Sequence, residues 1–116
     1  MSSEPLVSLQ GEVYYLPRIA LPTGCKLIVA LSDISLADAP AHVIDVSETE
    51  ITHQVPLPFE LNYAADRYPV QGHSYALSAR IEHNGTLVWI NDTVHSVELT
   101  KEDQKGLLIK VIQAAG

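Results

Sequence analysis

Tyr75-Ala76-Leu77-Ser78-Ala79-Arg80-Ile81-Glu82-His83-Asn84-Gly85-Thr86-Leu87-Val88-Trp89-Ile90 consists of two apolar runs meeting at an Asn-Gly pair. In the first run Tyr75, Leu77, Ala79 and Ile81 alternate with Ser78, Arg80 and Glu82, the period of a strand with one buried face. Asn and Gly both tolerate the positive φ that a type I′ turn demands at its two central positions. The stretch therefore predicts a β-hairpin. Strict alternation puts Leu87 and Trp89 on one face of its return strand and Val88 and Ile90 on the other.

The same period recurs on both sides of this hairpin. Val7, Leu9, Gly11, Val13 and Tyr15 alternate with polar residues until Pro17, Pro22 and Gly24 break the run. A second strand from about Cys25 to Ile34 is apolar on both sides, as a central strand is, with Leu27, Val29 and Leu31 sharing a face. The segment from Ser32 to Pro40 reads as a connection, its Asp38-Ala39-Pro40 end an extended crossover. In a third strand, about His42 to Ile51, alternation sets Val43 opposite in facing to Ile44 and Val46. Leu57, Phe59, Leu61 and Tyr63 face one way in a fourth, and Pro56 and Pro58 remove ladder donors, which marks a sheet edge.

Ala64 to Gly72 reads as a loop with room for one helical turn. A strand near Thr93 to Leu99, a capped turn at Thr100-Lys101-Glu102-Asp103 and a last strand near Leu107 to Gln113 complete the chain. The expected fold is all-β: a single-domain antiparallel β-sandwich of about seven to eight strands spanning residues 1–116.

Composition narrows the function. Seven Lys+Arg against 14 Asp+Glu give a formal net charge of −7, with no basic cluster, which disfavours nucleic acid and anionic membrane surfaces. A single cysteine, Cys25, forbids an intrachain disulfide. It follows Leu21-Pro22-Thr23-Gly24, a faint lipidation box, but Glu12 and Arg18 interrupt the apolar run such a signal needs. Cys25 reads instead as a small buried residue opening a strand. No apolar stretch reaches membrane-spanning length, so attachment to a membrane would require a lipid anchor absent from this sequence.

Catalytic and metal chemistry find no support in the residues. His42, His53, His73, His83 and His95 are scattered singly, with His53 within hairpin reach of Asp45 or Glu48. No serine sits in a nucleophile elbow, no Gly-rich phosphate loop occurs, and Asp33 and Asp38 read as turn residues. Asn84-Gly85-Thr86 and Asn91-Asp92-Thr93 match the N-glycosylation pattern, the first already explained by turn geometry. The expectation is a protein that is no enzyme and holds no metal or cofactor.

Three segments act together as a signature: Arg18-Ile19-Ala20-Leu21-Pro22-Thr23-Gly24, Ser35-Leu36-Ala37-Asp38-Ala39-Pro40 and Gln54-Val55-Pro56-Leu57-Pro58-Phe59-Glu60-Leu61. With the hairpin that follows, this order resembles the YbaY/YscW family of bacterial lipoproteins, which includes pilotin-type chaperones of type III secretion. The resemblance covers about Val7 to Val111. It implies a β-sandwich and a periplasm-facing, outer-membrane-associated protein if a leader has been removed; a native start at Met1 would instead make it cytoplasmic. For pilotin members it implies binding of a secretin's C-terminal tail.

The expected function is thus an envelope-associated interaction module that binds a protein or peptide partner, a secretin-like segment being one candidate. Tyr63, Tyr68 and Trp89 are the candidate contacts. The alternative is a small-ligand binder with an aromatic-lined pocket between the sheets. Oligomeric state is left open by the sequence.

Overall fold

The structure is a computed structural model that describes residues 5–35, 41–91 and 94–114. The expected crossover at Asp38-Ala39-Pro40 and the Asp92-Thr93 end of the second glycosylation pattern lie outside the described residues. Among the described residues, nine strands form two packed sheets: β1 (Leu6–Tyr14), β2 (Cys25–Asp33), β3 (His42–Glu50), β4 (Leu57–Ala64), β5 (Tyr75–His83), β6 (Thr86–Ile90), β7 (His95–Val97), β8 (Gln104–Lys110) and β9 (Ile112–Gln113). The small sheet has the order β4-β1-β8. The large one has the order β3-β2-β5-β6-β9, with β7 beside β5.

The hairpin closes as its sequence demands, with Asn84 at φ 51° and Gly85 at φ 84°. Strand β2 is internal and β4 is an edge, as their compositions indicate. The β4 edge is closed to further pairing in two ways. Pro58 has no N–H to offer, and the Asn62 N–H donates to Asp45 Oδ2 of β3 at 2.8 Å. That bond also joins the two sheets along one side.

Leu9, Val13, Leu61 and Ile109 of the small sheet meet Val29, Leu31, Leu77 and Ile81 of the large one, each almost fully buried. Burying one such side chain stabilises by about 1.5–3 kcal/mol, so this interface is the main source of cohesion. Cys25 is buried at the start of β2, and burial pushes its thiol pKa up.

Four departures from simple alternation matter. The last apolar run does not form one strand. The Val111 N–H donates to the Tyr14 carbonyl at 2.9 Å, after which the chain leaves β8 and pairs as β9 with β6. One run therefore serves both sheets, which gives nine strands rather than seven or eight. Second, β8 lies parallel to β1, whereas the other strand pairs among the described residues are antiparallel. Gly11 permits that approach, since a Cβ there would stand 2.0 Å from the Leu107 carbonyl oxygen.

The third and fourth are bulges. Ser32 pairs with Val43 but Leu31 pairs with Asp45, so Ile44 is an extra residue in β3. Val43 and Val46 consequently share the outward face, contrary to strict alternation. Likewise Ile81 pairs with Trp89 but Glu82 pairs with Leu87, so Val88 is extra in β6 and Leu87 no longer shares a face with Trp89. An inserted residue reverses the facing of everything beyond it, which single-strand periodicity cannot register.

Candidate functional site

The three aromatic residues expected as contacts fall into two groups. Tyr63 and Tyr68 come together edge to face, ring centroids 6.5 Å apart, and Tyr68 meets Tyr75 the same way at 6.1 Å. Trp89 stands apart, stacked on Tyr15 at 3.9 Å with planes 9° from parallel. Tyr63 and Trp89 are buried and Tyr68 is half-buried. Tyr63 also closes a turn: its hydroxyl donates to the Thr100 carbonyl at 2.5 Å and accepts from the Thr100 N–H at 3.0 Å. Burial raises its pKa above the ordinary tyrosine value, while the two bonds to Thr100 work the other way.

The histidines do not converge. His53 Nδ1 lies 2.8 Å from the Gln54 carbonyl rather than near Asp45, which is occupied by Asn62. One histidine–carboxylate pair does form, His73 Nδ1 with Asp33 Oδ2 at 2.6 Å. Asp33 also accepts from the Ser35 hydroxyl at 2.5 Å and the Ser35 N–H at 2.9 Å. These bonds hold the Asp33 pKa at about 2, the Ser35 hydroxyl contributing most and His73 next. The cluster pins the end of β2 to the loop before β5. Among the described residues no three His, Cys, Asp or Glu side chains form a group able to hold a metal ion.

A concavity with apolar walls lies on the outward face of the large sheet. Ala30 and Ser32 of β2 and Ser78 of β5 form its floor, with Ile28 and Arg80 toward one end. Val43 and Val46 of β3 wall one side and Ile90 of β6 the other, enclosing about 410 Å³. Val43 is 50%, Val46 47% and Ile90 37% exposed, while Ile28 is buried at 7%. Ile112 of β9 pairs with Ile90 and extends that wall. The charges bordering the trough are matched: Lys26 approaches Glu48 at 4.0 Å and Arg80 approaches Glu82 at 3.1 Å. The outward face of the small sheet is different, carrying Ser8, Gln10, Glu12, Glu60 and Asn62.

The trough was only partly foreshadowed. The two-sided apolar character of β2 signals that its outward face is covered or shallowly recessed, but the walls depend on the bulges. Asn91 illustrates another hidden role: its side-chain oxygen accepts the Ala79 N–H at 3.0 Å, filling a gap in the ladder between β6 and β7.

Comparison with known proteins decides the family. Residues 4–110 match the family described as Type III secretion system lipoprotein chaperone (YscW). The chain belongs to the YscW family. It is 39% identical over 92 residues to the uncharacterized lipoprotein YbaY of Escherichia coli (strain K12), which covers 78% of the chain. The chain spans about half the length of that relative, 47%. An alternative pilotin from the type II secretion system of Vibrio cholerae superposes with a TM-score of 0.84 at 38% identity, covering 96% of this chain and 99% of that one. Among the described residues, no helix is long and apolar enough to cross a membrane.

Proposed function

We propose that this YscW-family domain is a non-enzymatic chaperone module of the bacterial envelope, which holds an apolar-faced helical segment of another envelope protein in the trough. The observation that carries the proposal is the shape of the outward face. Small side chains on the two middle strands lie between apolar walls on β3 and β6. Those walls are three strand spacings apart, about 14 Å. An α-helix with its side chains is about 10–12 Å across, so one helix lies along β2 and β5 with its apolar stripe inward.

The occupant is a segment of a secretin, the partner that the resemblance to pilotin-type chaperones implies; the matched Vibrio cholerae protein is itself described as an alternative pilotin from a type II secretion system. The lipoprotein relatives support a periplasmic, outer-membrane-associated location reached through a lipid anchor. Tyr63 and Tyr68 then serve as scaffold, bracing the loop between β4 and β5 rather than touching the partner.

The test is a titration of the domain with C-terminal secretin peptides, followed by amide chemical shifts. Saturable shifts confined to β2, β3, β5 and β6, lost in Val46→Asp and Ile90→Asp, are expected. No binding at high micromolar peptide would remove the secretin as partner.

A further inference from the structure

The large sheet ends on β3, which pairs with β2 and with no other strand among the described residues. Alternate residues of β3 therefore turn their N–H and C=O groups away from the sheet, to where a further strand would bond. The other edges are less open. β4 is closed by Pro58 and by the bond from Asn62 to Asp45. β7 and β9 are three and two residues long. β8 slips register between Gln104 and Leu107, with Gly106 at φ 77°. β3 has no proline, and beyond the Ile44 bulge Val46 to Glu50 run in unbroken register against Ala30 to Lys26.

The space beside this edge is a concavity of about 550 Å³, lined by Ser47 and Thr49 of β3, Pro58 and Glu60 of β4, Glu12 of β1 and Lys105 of β8. Charge there is one-sided. β3 carries Asp45, Glu48 and Glu50 and no lysine or arginine. Glu48 and Glu50 are exposed and two residues apart, so they share the outward face. Lys26 stands opposite Glu50 and approaches Glu48 at 4.0 Å, one cation against two carboxylates. On the other face Glu12 and Glu60 outnumber Lys105. An unpaired ladder bonds extended backbone, and surplus carboxylates on both of its faces choose basic side chains. From these two properties we infer that β3 captures an extended segment of a partner protein with Lys or Arg at alternate positions, adding it to the large sheet as a strand. A second copy of this chain in that place would set its own Glu48 and Glu50 against these two, and like charges oppose such pairing. The site uses the edge of β3, not its outward face, so it and the helix-binding trough can fail separately.

The full chain, isotopically labelled, is titrated with a seven-residue peptide alternating lysine and valine, and with its glutamate–valine counterpart. Two further lysine peptides are N-methylated, one at its lysines and the other at its valines. Saturable amide shifts along Val46 to Glu50 are expected with the lysine peptide and not with the glutamate peptide. Binding should survive one methylation pattern and fall about tenfold or more with the other, because a strand bonds its neighbour through every second residue. Glu48→Lys combined with Glu50→Lys, both at exposed positions, should reverse the preference to the glutamate peptide, with thermal unfolding confirming the fold. Equal binding of the two methylated peptides would overturn the assignment in favour of an ionic contact without strand pairing. Equal binding of the lysine and glutamate peptides, or no shifts in β3, would overturn it outright. Shifts confined to β2 and β5 would overturn it by placing the peptide in the trough.

Discussion

Val43 and Val46 point to the same side of the large sheet, although they are three residues apart in one strand. The extra residue Ile44 between them makes this so, and it turns its own side chain toward the core. The bulge thus supplies both apolar residues of one trough wall without removing any from the core.

Core and wall should therefore respond differently to truncation. Leu31, fully buried on β2, should lose about 2–5 kcal/mol when changed to Ala, through lost transfer energy and a residual cavity. Val46→Ala should stay within about 0.5 kcal/mol, because nearly half its surface is already in water. Urea unfolding of the two variants measures the contrast.

Gly11→Ala should be among the most damaging single-methyl changes available. The added Cβ would meet backbone, the Leu107 carbonyl, rather than a side chain that could swing aside. A loss of roughly 3 kcal/mol or more is expected, above the usual overpacking cost. Amide exchange should show the parallel β1–β8 pairing opening first.

Tyr63→Phe should cost about 1–3 kcal/mol despite keeping the ring, because both Thr100 backbone groups lose their partner. The same change to Tyr68, which is half-buried, should cost less. Thermal midpoints of the pair give the comparison.

Asp33 makes stability depend on acid pH. Its folded pKa, about 2, lies below the ordinary aspartate value of 3.8, so the ionised form is favoured in the fold. The stability it contributes is complete above pH 3.8 and declines as pH falls toward 2. Asp33→Asn should flatten that part of the pH profile and lower stability near neutrality, read from urea midpoints across the acid range.

Much of this was legible in the chain. Alternation placed most strands to within a residue or two, Asn84-Gly85 fixed the hairpin, and Pro58 marked the edge. The family signature was legible too, through the segments around Pro22 and Pro56. The candidate site was far less so. Tyr63 and Trp89 stand out as aromatic residues in strands, yet nothing local says that one closes a turn on Thr100 and the other stacks on Tyr15.

Residue identity alone specifies that the chain forms strands, where most of them turn and which residues can enter a core. Those properties follow from backbone preference and hydrophobic period, which are local. The pairing of strands in the folded molecule sets β8 parallel to β1, makes Val111 hand the chain from one sheet to the other, and makes Ile44 and Val88 extra residues. A bulge exists only relative to the strand opposite it. The trough that depends on two of them therefore belongs to the pairing of strands and to no single segment.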